Sequence, residues 1–207
     1  MSNIKPPKIP KQIIKPFSDD DLRRLLLLCS GDGFLDTRNR ALILLLLDSG
    51  LRLAEVASIQ LGDVDFDRET VRVIGKGAKE RLVRISRATQ KALLKYLLKR
   101  IDNHSCLWVT EERRPMARSG IQVMIKRLCQ RAHIVDAKGG PHTFRHSFAT
   151  RALINGAEMH EVQSLLGHST LHTTLRYVAT VNSEHAIEGH RGTKARKGFS
   201  PVDNLKL

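Results

Sequence analysis

Six side chains stand in a telling order along this chain: Arg52, Lys76, His142 and Arg145 within the turn His142-Thr143-Phe144-Arg145, then His168 and Tyr177. Displacement at a phosphodiester needs a nucleophile, donors that stabilise charge on a five-coordinate phosphorus, and a proton for the departing oxygen. The set supplies all three. Two guanidiniums can hold non-bridging oxygens bidentately, as lysines cannot. A tyrosine of pKa ~10 is mostly protonated at neutral pH, so it attacks well only beside positive charge or a base. These residue types together point to metal-free cutting and rejoining of a nucleic-acid backbone. One phosphodiester would be exchanged for another of similar energy, so no ATP is needed, and Gly75-Lys76-Gly77 lacks the spacing of a Walker loop.

Taken singly, each residue has an ordinary reading. Arg52 at a helix start is a solvated charge, Lys76 on a turn is exposed, His142 and His168 cap local backbone, and Tyr177 is core with its hydroxyl at the surface. Their joint occurrence in order favours chemistry.

The elements that must position them follow from pattern. Ser18 with Asp21 reads as an N-cap, with acids Asp19 to Asp21 at the positive helix end, ahead of an apolar stretch through Leu28. A second helix is expected from about Asp36 to Ser49, stopped by Gly50. Arg52 opens a short helical pattern through Val56. Alternation then predicts strands at Val64 to Phe66, Val71 to Ile74 and Arg81 to Ile85, with Gly75-Lys76-Gly77 as a hairpin tip. From Ser86 the pattern is helical again. Leu93, Leu94, Leu97, Leu98 and Ile101 form one apolar stripe, and Ile121, Ile125, Leu128 and Ala132 another. Pro141 suits a helix start whose free N–H groups favour an anion, and His142 and Arg145, three apart, share a face of that helix. Short helices interrupted at Gly156, Gly167 and Gly189 complete a mainly α fold with a small antiparallel β-sheet (α+β).

At 207 residues the chain has room for one substantial core rather than two full domains. A net charge of +14 and a pI near 10.2 favour a polyanionic partner and steep salt dependence. Residues 1–17 carry four lysines, four prolines and no acid, and residues 191–207 carry five basic residues against Asp203. They read as a flexible basic arm and a basic C-terminal tail around a catalytic domain at 18–190. Cys29, Cys106 and Cys129 form no Cys-x-x-Cys pair, which argues against a disulfide framework or a thiolate zinc site and fits a reducing cytoplasm. The apolar runs fall far short of the ~20 residues a bilayer span needs, so no membrane role is expected.

The motifs Ser49-Gly50-Leu51-Arg52-Leu53-Ala54-Glu55, Ile74 to Arg81, His142 to Thr150, Leu166-Gly167-His168-Ser169 and Thr173 to Tyr177 resemble the catalytic domain of the tyrosine recombinases, the phage-integrase and Xer-like family. The likeness runs from about Ser18 to Gly189. It implies that fold, with Arg52 and Arg145 clamping the scissile phosphate and Lys76 protonating the leaving 5′ oxygen. His142 would handle protons, His168 would hydrogen-bond the phosphate, and Tyr177 would form a 3′-phosphotyrosyl link. Glu55 resembles the acid that supports the active site from behind. Lys79 and Arg81, beside the hairpin, are candidate DNA contacts. The resemblance implies double-stranded DNA as partner, no metal and no cofactor. It also implies monomers that are idle in solution and a homo-tetramer on synapsed DNA, with the segment after Tyr177 docking on a neighbouring protomer. Family members generally carry a helical DNA-gripping domain ahead of the catalytic one, and seventeen residues cannot be that domain: an excised fragment or a naturally short member is expected. Phe144 stands where leucine is usual.

Three other readings compete. The pairs His142/His146 and His168/His172 have the i, i+4 spacing of zinc ligands, but no Glu follows His142 and Arg145 would repel a cation. A DNA-binding regulator that kept the fold and lost the reaction is the alternative function, motivated by the short N-terminus. A type IB topoisomerase shares the first half-reaction but reseals the original strand.

Overall fold

The computed structural model describes residues 15–75, 80–134 and 139–167. Helix α1, Asp19–Leu27, begins as its sequence dictates. Ser18 Oγ accepts from the Asp21 N–H while Asp21 returns the bond to the Ser18 N–H, and three aspartates occupy the positive first turn. Helix α2, Phe34–Ser49, starts two residues earlier than the pattern predicts and is buried on every side from Ala41 to Ser49. An all-round apolar helix has to be central, and α4, α6 and β3 pack directly on α2.

Helix α3, Leu53–Ser58, and a single 3₁₀ turn, Leu61–Asp63, lead into a three-stranded antiparallel sheet in the order β1 (Val64–Asp65), β2 (Thr70–Ile74), β3 (Glu80–Arg84). Its register pairs Val71 with Val83 and Ile74 with Glu80, so β2 and β3 are the two arms of the expected hairpin. Val71, Val73 and Val83 face the core while Arg72, Ile74 and Leu82 face water, the period-2 alternation of a sheet solvated on one side. The remaining helices among the described residues are α4 (Arg87–Leu98), α5 (Arg118–Arg131), α6 (Pro141–Ile154) and α7 (Met159–Leu166). Mainly helical with one small antiparallel sheet, this is the fold class the sequence pattern predicts.

On α5 the predicted stripe is the buried one, since Ile121, Ile125, Leu128 and Ala132 all lie in the core. On α4 it is so only in part. The helix buries Thr89, Ala92, Leu93 and Tyr96, and leaves Leu94 exposed and Leu98 and the following Ile101 83% and 85% exposed. Tyr96 accounts for the rotation. Its ring stacks on Trp108, and its hydroxyl donates to the Leu107 carbonyl at 3.0 Å and accepts from the Val109 N–H at 3.1 Å, so a satisfied aromatic takes the core position. Trp108 in turn donates to the Val56 carbonyl at 3.0 Å, fixing α3 from beneath.

Phe17, at the end of the expected arm, belongs to the fold. It is buried, packs edge-on against Phe144 with ring centroids 4.7 Å apart, and donates its N–H to Ser147 Oγ at 2.8 Å. An aromatic at 144 thus has an aromatic partner. Cys29 and Cys129 are free and buried, and burial pushes both thiols up to about 11. No helix among the described residues is long and apolar enough to cross a membrane.

Candidate active site

Four helix segments come together here: the last turn of α2, the first turn of α3, the second turn of α6 and the last turn of α7. The join between α2 and α3 depends on Gly50. Its φ of 59° is left-handed, its N–H closes α2 on the Leu46 carbonyl at 3.1 Å, and a Cβ there would lie 2.5 Å from Phe148 Cδ1 and 2.9 Å from a Leu166 methyl. Only glycine lets α6 and α7 approach so closely.

Two residues later the chain is extended at Arg52, which becomes the N-cap of α3. Glu55 completes the helix start by accepting the Arg52 N–H at 2.8 Å, and it also accepts Arg52 Nη1 at 3.0 Å. The other terminal nitrogen of Arg52 donates to the Gly167 carbonyl at 3.1 Å. Arg145, buried in the second turn of α6, donates from Nη1 to the Gly50 carbonyl at 2.7 Å and from Nη2 to the Leu166 carbonyl at 2.6 Å. The two arginines therefore hold successive carbonyls, Leu166 and Gly167, at the negative end of α7, where cations are favoured. His142 is exposed on the first turn of α6, one turn ahead of Arg145.

Glu55 is the buried hub of this cluster. Besides Arg52 it accepts both terminal nitrogens of Arg81, at 3.0 and 2.9 Å. Burial works against its charged form. The bonds from Arg81 and then from Arg52 more than offset that, and the carboxyl titrates below its ordinary value. His146, one turn after His142, is buried, which pulls its imidazole down to about 4 and leaves it neutral at pH 7.

Of the residues predicted from sequence, Arg52, Arg145 and Glu55 are brought together, and His142 lies on the same helix as Arg145. Arg81 turns both terminal nitrogens inward onto Glu55. Lys76, Lys79, His168 and Tyr177 lie outside the described residues. No group of three His, Cys, Asp or Glu side chains among the described residues is placed to hold a metal ion. The carbonyl grips of Arg145 had no sequence signal. The inward turn of Arg81 had one: in the β3 alternation it shares a face with buried Val83.

Residues 15–184 match the Phage integrase family. The chain belongs to that family. It is 35% identical over 177 residues to tyrosine recombinase XerD of Halalkalibacterium halodurans, an alignment covering 83% of this chain and 59% of the relative. The chain thus spans less than two thirds of that protein's length. Among solved structures, the crystal structure of XerA recombinase superposes with a TM-score of 0.74 at 31% identity, over 91% of this chain and 68% of that one. XerH site-specific recombinase bound to a palindromic difH substrate gives 0.71 at 22% identity, over 84% of this chain and 52% of that one, a likeness of fold alone. In this phage integrase family member the observed cluster contains Arg52, Arg145 and Glu55, three of the residues singled out in the sequence.

Proposed function

We propose that this chain is the catalytic part of a site-specific DNA recombinase, which cuts and rejoins strands through a 3′-phosphotyrosyl intermediate without metal or ATP. The observation that carries this reading is the convergence of Arg52 and Arg145 on neighbouring carbonyls of one turn, Leu166 and Gly167. Two guanidiniums from distant segments have adjacent anchors, as a clamp on one phosphate requires.

In this reading Arg52 and Arg145 hold the non-bridging oxygens and stabilise the charge of the phosphorane. Tyr177 attacks phosphorus, and the phosphorus–oxygen bond to the 5′ oxygen breaks. Lys76 supplies the proton that makes that oxygen a hydroxyl, His142 handles the proton of the attacking phenol, and His168 donates to the phosphate. Reversal with a new 5′ hydroxyl releases Tyr177 and joins the strands. Each positioned donor on the phosphorane would contribute about 3 to 4 kcal/mol and the general acid about 10²- to 10⁴-fold. The partner is double-stranded DNA, favoured by the net charge of +14. Lys79 is a candidate backbone contact, the protein acts in the cytoplasm, and the working unit is a homo-tetramer on two synapsed duplexes. The catalytic domain starts at Phe17, which the core holds, and runs to about residue 190, with basic segments on either side.

The test is recovery of DNA covalently attached to the protein from cells expressing it, followed by sequencing of the tagged ends. A recombinase yields one recurrent sequence with the protein on the 3′ side. Absence of any attached DNA, with normal binding retained, would favour the non-catalytic regulator.

A further inference from the structure

Arg52 would be a poor phosphate ligand if Glu55 were its sole companion. The pair is bonded twice, through the Arg52 N–H and through Nη1, and a guanidinium matched by one carboxylate has no net charge to offer an anion. Arg81 changes that balance. It reaches across from β3 and takes both carboxylate oxygens in a fork, at 3.0 and 2.9 Å, while its own side chain is only 20% exposed against 41% for Arg52. The more accessible guanidinium is the one proposed above to meet the phosphate, and the covered one lies on the carboxylate. Two guanidiniums and one carboxylate leave the triad with one positive charge.

Arg81 also lies against the turn that both arginines of the clamp hold. A Cβ on Gly167 would come 3.5 Å from Arg81 Cζ, and the Gly167 carbonyl is the one that Arg52 grips. Gly167 is left-handed, at φ 62°, a conformation that favours glycine at this turn.

From this we infer that Arg81 is a positioning residue for the strand-transfer reaction: it holds Glu55 from behind, so that the carboxylate orients Arg52 without neutralising it. The inference rests on the function proposed above. Lysine at 81 would keep a charge but lose the planar fork, so it is not an equivalent substitute. The same bonds hold the Glu55 carboxyl below its ordinary titration range.

The experiment compares wild type, Arg81→Gln, Arg81→Lys and the double variant Arg81→Gln/Glu55→Gln in single-turnover cleavage. The substrate is a nicked duplex bearing the recovered site, with either a normal phosphate or a methylphosphonate at the scissile position. Thermal unfolding of each protein controls for folding. Arg81→Gln should cleave the phosphate about 10- to 100-fold more slowly, the range typical when the hydrogen-bonded support behind a ligand-holding group is removed. The loss should shrink on the methylphosphonate, which carries one less negative charge for Arg52 to meet. Adding Glu55→Gln should restore part of the rate by freeing Arg52 from an unbalanced carboxylate. Should Arg81→Gln not fold, Arg81→Lys carries the same comparison with a smaller loss. Wild-type rates in Arg81→Gln, or an equal loss on both substrates that deepens in the double variant, would overturn the inference. A ¹³C titration of the Glu55 carboxyl needs no DNA and separates the two claims. A midpoint that rises in Arg81→Gln upholds the triad even if wild type makes no adduct, and an unmoved midpoint removes it.

Discussion

Arg145 donates to the carbonyl of Gly50 at 2.7 Å, across 95 residues of sequence. That bond, with its twin to Leu166, means that a residue assigned to phosphate binding also closes the fold around its own site. Arg145→Ala is predicted to lose stability as well as activity. Hydrogen bonds to charged groups contribute roughly 1.5–3 kcal/mol each, so a loss of about 3 to 6 kcal/mol is expected for the two, read as a lower urea midpoint at unchanged slope. A variant as stable as wild type would show that the carbonyls find other donors.

Gly50→Ala should be damaging for a separate reason. A left-handed φ costs a non-glycine residue about 1–2 kcal/mol, and pushing Phe148 and Leu166 aside adds about 1–3 kcal/mol of overpacking. Because those neighbours belong to α6 and α7, the displacement should reach Arg145 and slow cleavage by more than the lost stability explains. Urea unfolding and single-turnover rates on the same preparation check it.

Acid should weaken the Arg52–Glu55–Arg81 cluster in a defined direction. Glu55 is held below its ordinary value, so the folded state binds fewer protons than the unfolded chain over that interval. Its contribution is present above the ordinary glutamate range and is lost as pH falls through the lower folded value. The stability gap between wild type and Glu55→Gln should be full at pH 6–7 and close on acidification, and a gap that stays constant down to acid would contradict it.

His146 acts in an adjoining window, through its burial. Its imidazole titrates at about 4 when folded against 6.5 ordinarily, so between those values the unfolded chain takes up a proton that the folded chain refuses. Stability is full above the upper value and falls on the way to the lower, by on the order of 2–3 kcal/mol. In His146→Gln the slope of thermal midpoint against pH between 6.5 and 4 should flatten, whatever the variant's stability at pH 7.

Much of this arrangement was legible from local pattern. Ser18 with Asp21, Gly50 after a long apolar helix, and the valine alternation of β2 and β3 are devices whose cause and effect lie within a few residues. Arg52 and Arg145 were singled out by residue type and spacing, because phosphate chemistry restricts what can serve, and the structure brings both to neighbouring carbonyls at the end of α7. The covered face of helix α4 was read partly off, with Leu93 buried and Leu97 packed against the core but Leu94, Leu98 and Ile101 outside, since its leucines outnumber its single tyrosine and the loop at Leu107, Trp108 and Val109 decides which face is covered. The carbonyl grips of Arg145 were hidden for a related reason: main-chain acceptors have no sequence signature. Arg81 was placed as a DNA contact beside the hairpin because its charge was weighed ahead of its strand register.

The most direct measurement is mass spectrometry of the peptide that carries DNA. After cleavage of a nicked duplex and digestion of the adduct, the account predicts a nucleotide on Tyr177 through its phenolic oxygen, and no adduct from a Tyr177→Phe protein that folds and binds normally. A nucleotide on any other side chain, or an undiminished adduct in Tyr177→Phe, would contradict it.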